Sequence, residues 1–149
     1  MMRRALELAR EAASVGEAPI GALVYVTETG TIIGEGRNDR ERAHDPAGHA
    51  EFHAIRAAAK HLGDFRLEGC TLVVTLEPCP MCAGLIVNAR VDRLVYGAAD
   101  PKAGACGSLL TLTQDTRLNH RVTPIAGVLA EESSELLRSF FRSLRGREG

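Results

Sequence analysis

The stretch TLVVTL at residues 71–76 constrains this chain more than any other. A strand with one wet face alternates apolar and polar residues, whereas this one is apolar at nearly every position. It has to be covered on both faces, so the fold needs a sheet with a layer on either side. The rest of the pattern supplies those layers. Residues 3–14, RRALELAREAAS, carry Leu6, Ala9 and Ala13 on one helical face, and GEAP at 16–19 ends the run. IGALVYVT (20–27) and TIIGEG (31–36) read as two strands joined at Thr29-Gly30. Residues 37–48 are polar and read as a loop. A helix follows to about His61 and stops at Gly63. Cys79 to Ala89 predicts a helix and RLVYG (93–97) a strand. Residues 98–121 predict a long loop with one short helical turn. A last strand is expected within 122–128, where Pro124 favours an edge, and 130–145 closes as a helix. The order α-β-β-α-β-α-β-β-α predicts one α/β domain over 1–149, with a central sheet between two helical layers.

Composition narrows the function. Lys plus Arg is 18 and Asp plus Glu is 19, a net charge of −1, which excludes a general polyanion-coating protein. Nucleic-acid contact therefore needs a local basic patch. One candidate is 138–149, where Arg138, Arg142, Arg145 and Arg147 stand against Glu148; a solvated helix end is the other reading. There is no Trp, and the aromatics are Tyr25, Phe52, Phe65, Tyr96, Phe140 and Phe141, too few for a sheet that stacks RNA bases. Of the adjacent Phe140 and Phe141, one is expected in the core and the other on RNA or at a subunit interface. No apolar run approaches the ~18 residues of a membrane span. The opening MMRRALELAR has no secretory apolar segment, so a cytoplasmic protein is expected.

Two segments carry the chemistry, His49-Ala50-Glu51 and Pro78-Cys79-Pro80-Met81-Cys82. Cysteines at i and i+3 of a helix start share a face, and the N-terminal dipole favours their thiolates. With His49 they offer zinc one imidazole and two thiolates, which leaves a fourth, open position, as in catalytic sites. Soft sulfur donors favour zinc over hard divalent ions. Zn²⁺ with two thiolates and a neutral imidazole is formally neutral and a modest Lewis acid. It needs a general base to make hydroxide, and Glu51 lies two residues from the ligand His49. The expected chemistry is hydrolytic displacement at an electrophilic carbon. Two other readings stay open. Cys79 and Cys82 could form a redox pair, or His53 could complete a structural Cys2His2 site that binds partners. Cys70 and Cys106 are expected to behave as small apolar residues, and His44, His61 and His120 as surface or core residues.

H-x-E followed by P-C-x-x-C resembles the signature of the zinc-dependent nucleobase deaminases. Within that cytidine/deoxycytidylate deaminase superfamily the chain resembles the bacterial tRNA-specific adenosine deaminases (TadA type). The likeness runs through GEAPIGALV (16–24), GRN (36–38), HDPAGHAE (44–51), TLEPCPMCAG (75–84), ADPKAGACGSL (99–109), LNHRV (118–122), GVLAEE (127–132) and LLRSFFR (136–142). It implies a cytidine deaminase-like three-layer α/β/α sandwich with a mixed five-stranded sheet. His49, Cys79 and Cys82 would bind one zinc per subunit, and Glu51 would shuttle protons while a zinc-activated hydroxide attacks adenine. Asn38 and the Ala50 N–H would hold the nucleoside between Ile20 and Leu76. Asp100 and Lys102 would contact the anticodon, Asn119 and His120 would flank that groove, and Phe141 and Arg142 would touch RNA from the C-terminal helix. The implied reaction turns the wobble adenosine of an arginine tRNA into inosine, in a homodimer. Phe52-His53 departs from the family pattern, and both are expected to pack inside. The rival within the same fold is a deaminase of a free base such as guanine or cytosine.

Overall fold

In the computed structural model, residues 1–147 are described. The chain forms α1 (Met2–Ser14), β1 (Gly21–Val26), β2 (Ile32–Arg37), α2 (Ala50–Leu62), β3 (Cys70–Leu76), α3 (Pro80–Asn88), β4 (Arg93–Ala98), β5 (Pro124–Ile125) and α4 (Ala130–Arg147). One 3-10 turn, Leu112–Gln114, interrupts the long loop. The sheet order is β2-β1-β3-β4-β5. β1 pairs antiparallel with β2 and β3, while β3, β4 and β5 run parallel, so the sheet is mixed. This is the expected three-layer architecture, with the elements in the expected order. The last strand is shorter than the 122–128 segment suggested, and it lies at the edge as Pro124 requires.

β3 explains the layering. Six of its seven residues, Cys70 to Thr75, are buried. Leu72 and Val74 face one way and join Val24, Leu94 and Tyr96 against Ala54, Ile55 and Ala58 of α2 and Ile86 of α3. Val73 faces the other way and joins Leu23, beneath Met2, Ala5 and Leu6 of α1 and Leu136 of α4. Alternation along the strands thus feeds two separate cores. On α1 the buried face is Met2, Ala5, Leu6, Leu8, Ala9 and Ala12; Ala13, expected inward, is only half-buried because Ala12 takes that place. Phe52 and His53 are also half-buried, and Phe140 packs edge-on against Phe141 at 5.4 Å without entering the core. Glu148 lies outside the described residues. Among the described residues no helix is long and apolar enough to cross a membrane.

Helix α2 sits directly on the β2 backbone. Gly34 and Gly36 present no side chain there, and α2 answers with Ala50, Ala54 and Ala58. A β-carbon at Gly36 would collide with the Ala50 carbonyl and stand 2.8 Å from Ala54 N. The left-handed Gly63 (φ 69°) then ends α2, with its N–H on the Ala59 carbonyl. Gly36→Ala is expected to lower stability by about 2–3 kcal/mol, since backbone atoms cannot give way as a side chain can. Thermal denaturation would read this as a fall of roughly 5–10 °C in Tm.

Candidate active site

Four strands bring one end each to the same edge of the sheet. β1 begins there, while β2, β3 and β4 end there: Gly21 pairs with Arg37, and Leu76 with Ala98. The Gly21 N–H donates to Thr75 Oγ1 at 3.2 Å, tying the β1 start to the β3 end. Ile20, Asn38, Leu76 and Asp100 are therefore neighbours. Helices α2 and α3 start at the same edge, each with an extended cap residue, His49 and Cys79. Pro80 occupies the first position of α3, where its missing N–H goes unneeded. Ile20, Asn38, His49, Leu76, Cys79 and Asp100 line one cavity of about 220 Å³, with Ala18, Ala50, Glu51 and Glu77.

His49, Cys79 and Cys82 form a cluster whose ligand atoms all lie within 4.8 Å of one another. His49 Nδ1 is 3.6 Å from Cys79 Sγ and 3.4 Å from Cys82 Sγ. Zinc bonds of about 2.3 Å to sulfur and about 2.0–2.1 Å to nitrogen, at a tetrahedral angle, place S and N about 3.5 Å apart. The donors thus already stand at the spacing zinc requires. Their electrostatics agree. Cys79, as acceptor of the Cys82 hydrogen bond and beside His49, is held at about 4 against the opposing effect of burial. Cys82, donating to Cys79 and buried, is pushed far up. His49 is raised by its hydrogen bond to Cys79. Three groups compete for protons that one divalent cation would replace.

Glu51 is 4% exposed, and its Oε2 lies 3.4 Å from Cys82 Sγ. Burial raises its carboxyl above the ordinary range. His53, the alternative fourth ligand, is elsewhere. Its Nε2 lies 2.7 Å from Asp39 Oδ1, and it does not join the metal-ligating cluster. The redox pairing of Cys79 with Cys82 also fits poorly, since both sulfurs are engaged by His49. Cys70 and Cys106 are buried, and burial pushes Cys106 up to about 12.

Two buried acids at this edge escaped the sequence reading. Glu77 is 2% exposed and collects donors from the 99–109 loop. Asp100 N–H at 3.2 Å and Ser108 Oγ at 2.5 Å donate to Oε1; Cys106 and Ser108 N–H, each at 3.1 Å, donate to Oε2. Burial works against the charge, but these hydrogen bonds prevail and hold the carboxyl below its usual range. Gly104 completes the fit: a β-carbon there would strike the Glu77 carboxylate. Glu17, fully buried, accepts from the Arg42 N–H at 2.6 Å and Asn38 Nδ2 at 3.2 Å. The available signal was an acid one or two residues before a proline at a strand boundary, Glu17-Ala18-Pro19 and Glu77-Pro78.

The cavity opens into a groove of about 750 Å³ that shares Ala18, Ile20, Leu76 and Asp100 with it. The groove also gathers Lys102, Phe141, Arg142 and Arg145. Among the described residues Lys102, Arg142 and Arg145 have no acidic partner, whereas Arg138 is engaged by Glu131 and Glu135. Asn119 and His120 are not part of this groove. His120 Nε2 is 2.7 Å from the Val91 carbonyl, which precedes β4 at the opposite end of the sheet.

The pattern that defines the MafB19-like deaminases matches residues 1–145. The tRNA-specific adenosine deaminase of Bacillus subtilis (strain 168) is 47% identical over 147 residues, 99% of this chain and 90% of that protein. A solved structure from work on A-to-I editing by tRNA deaminases at the wobble position of transfer RNA superposes with a TM-score of 0.86 at 41% identity. It covers 91% of this chain and 97% of its own. A guanine deaminase from Nitrosomonas europaea has a TM-score of 0.81 at 26% identity, covering 93% and 81%.

Metal analysis of purified variants tests the ligand assignment. His49→Ala and Cys82→Ala are expected to lose zinc, while Glu51→Ala and His53→Ala retain about one equivalent. Loss of zinc from His53→Ala as well would restore the structural Cys2His2 reading.

Proposed function

Because this chain belongs to the MafB19-like deaminases, and among them to the bacterial tRNA-specific adenosine deaminases, we propose that it converts the wobble adenosine of a tRNA anticodon to inosine. It is an enzyme of the deaminase fold. The observation that carries the proposal is the joining of two spaces: a small cavity with the His49–Cys79–Cys82 cluster and Glu51, and a cationic groove outside it. At about 220 Å³ the inner space is below the roughly 300–1,000 Å³ of pockets that take a drug-sized ligand. It suits one base turned out of its strand, with the rest of the RNA left to the groove. An anticodon loop already presents unpaired bases, which lowers the unstacking cost.

His49, Cys79 and Cys82 would hold zinc, which when bound supplies a polarised water. Glu51 would take a proton from the attacking water and deliver it to N1 of adenine as oxygen adds to C6. It would then take the remaining proton from that C6 oxygen and pass it to the amine, so that the C6–N bond breaks, ammonia leaves and the C6 carbonyl of inosine remains. Burial of Glu51 supports both proton transfers, since a raised carboxyl is a better acid and base near neutrality. Ile20 and Leu76 clamp the base, and Asn38 hydrogen-bonds the nucleoside. The Ala50 N–H, in the first turn of α2, has no helical carbonyl to pair with and is free to hold the substrate. Glu77 and Gly104 keep Asp100 and Lys102 at the groove mouth, and Phe141 and Arg142 extend the RNA surface from α4.

The arginine isoacceptor rests on the family resemblance, and a cytoplasmic setting follows from the tRNA substrate proposed here. A homodimer rests on that resemblance together with the exposure of Leu109 and Leu110 beside the groove-forming loop. In such a dimer Asn119 and His120, remote from the groove of their own subunit, would reach RNA from the partner.

The decisive assay measures inosine formation in an arginine-tRNA anticodon stem-loop, beside free guanine, cytosine and adenosine. Conversion of the stem-loop, abolished by Glu51→Ala, is expected; conversion of a free base alone would move the chain to the free-base deaminases. Arg142→Ala is expected to weaken stem-loop binding and reduce the salt slope by about 0.7, the value for one lost phosphate contact to a single strand. Gly104→Ala is expected to leave zinc in place and cut turnover about tenfold or more by displacing the loop from Glu77.

A further inference from the structure

We propose that Glu17 fixes which end of the Asn38 amide the substrate meets, making this point of the cavity an obligate hydrogen-bond acceptor. The inference rests on the assignment of Asn38 to substrate binding made above and adds a positioning residue to it. Glu17 lies between α1 and β1, wholly buried, with its N–H on the Ala12 carbonyl at the end of α1 at 3.0 Å. Its carboxylate is divided between two donors. Oε1 takes the Arg42 N–H at 2.6 Å, and Oε2 takes Asn38 Nδ2 at 3.2 Å. The Asn38 main chain is also fixed, with its N–H on the Ile20 carbonyl at 3.1 Å.

Both Glu17 oxygens act as acceptors here, one for the Arg42 N–H and one for Asn38, so it is the NH2 end of Asn38 that faces the carboxylate. The orientation of this amide is thereby imposed by chemistry and is not a choice between two similar electron clouds. The carbonyl end is left over. Among the described residues nothing donates to Asn38 Oδ1; Asn38 lines the cavity beside Ile20 and Glu51 and, on its other side, a second cavity with Arg42 and His53, and we assign Oδ1 to the first. The substrate has to bring an O–H or N–H to that point. A group with a lone pair there would meet a second lone pair.

Glu17→Gln is an isosteric test of this device. Its amide oxygen can keep the Arg42 N–H, but its NH2 then points at Asn38 Nδ2, donor against donor. Asn38 relieves this by turning over, which offers an NH2 to the cavity. Adding Asn38→Asp in the same chain removes the conflict. The amide introduced at position 17 then donates to the new carboxylate, and an acceptor again faces the substrate.

Zinc-loaded enzyme would be assayed on the stem-loop as parent, Glu17→Gln, Asn38→Asp and the double variant. We expect KM to rise about tenfold or more in each single variant, with kcat within about threefold, and to return to within about threefold of the parent in the double. A purely structural Glu17 predicts additive losses in the double variant, and that result overturns the inference, as does an unchanged KM in Glu17→Gln. Neutron diffraction of Glu17→Gln reads the same point without turnover: the Asn38 amide deuterons are expected on the cavity side. If they still face residue 17 the inference fails. If the parent leaves the stem-loop unconverted, the substrate assignment fails and the neutron result alone decides the role of Glu17.

Discussion

The structure depends on covering β3 from both sides. Cys70 to Thr75 leave no face for water, so α2 and α3 must lie on one side and α1 and α4 on the other. Parallel pairing with β4 then sets the position of the chemistry. β3 and β4 finish at the same edge, and the helix that follows β3 has to start there. Its unpaired N–H groups and positive end arrive where thiolates are wanted. The antiparallel β1 and β2 bring Ile20 and Asn38 to the same edge from the opposite direction. A mixed sheet therefore draws on both strand starts and strand ends for its site. A wholly parallel sheet draws on strand ends alone.

Three buried carboxylates stand around this cavity, and each is handled differently. Glu77 is surrounded by donors, so its charge is welcome and it organises a loop. Glu17 is shared between one backbone and one side-chain N–H, and it orients an amide. Glu51 has little beyond the Cys82 thiol, its own helix and nearby His49, and burial outweighs them. Residue type alone does not separate these roles. Donor supply does: the best-satisfied acid keeps its charge and organises a loop, and the least-satisfied one has its carboxyl raised by burial, as the proton transfers proposed for it need.

The elements were legible because local signals agreed with tertiary demands. The apolar run in β3, the Gly63 stop and Pro124 at an edge each act within a few residues of themselves. The metal cluster was legible for the same reason, since Cys79 and Cys82 share one helical turn and His49 caps another. Glu17 and Glu77 were not, because their partners lie at 38 and 42 and at 100–108, distances that spacing does not express. His120 illustrates the converse. Neighbourhood in a motif suggested the groove, while the loop carries it to Val91 at the far end of the sheet. Phe52 and His53 stayed half-exposed because α2 spends its inner face on alanines that must approach glycines closely.

The ligand cluster bridges two helices. His49 belongs to the start of α2 and Cys79 to the start of α3, 30 residues further along the chain. An ion held between them acts as a cross-link across that loop, one that no disulfide supplies, since all four cysteines are free. Folding and metal supply are then coupled quantities. Each tenfold excess of free ion over its Kd adds about 1.4 kcal/mol to the loaded fold. With zinc as that ion, as proposed, a cell short of it would lose the protein as well as its turnover, because the under-loaded chain opens more often to proteases.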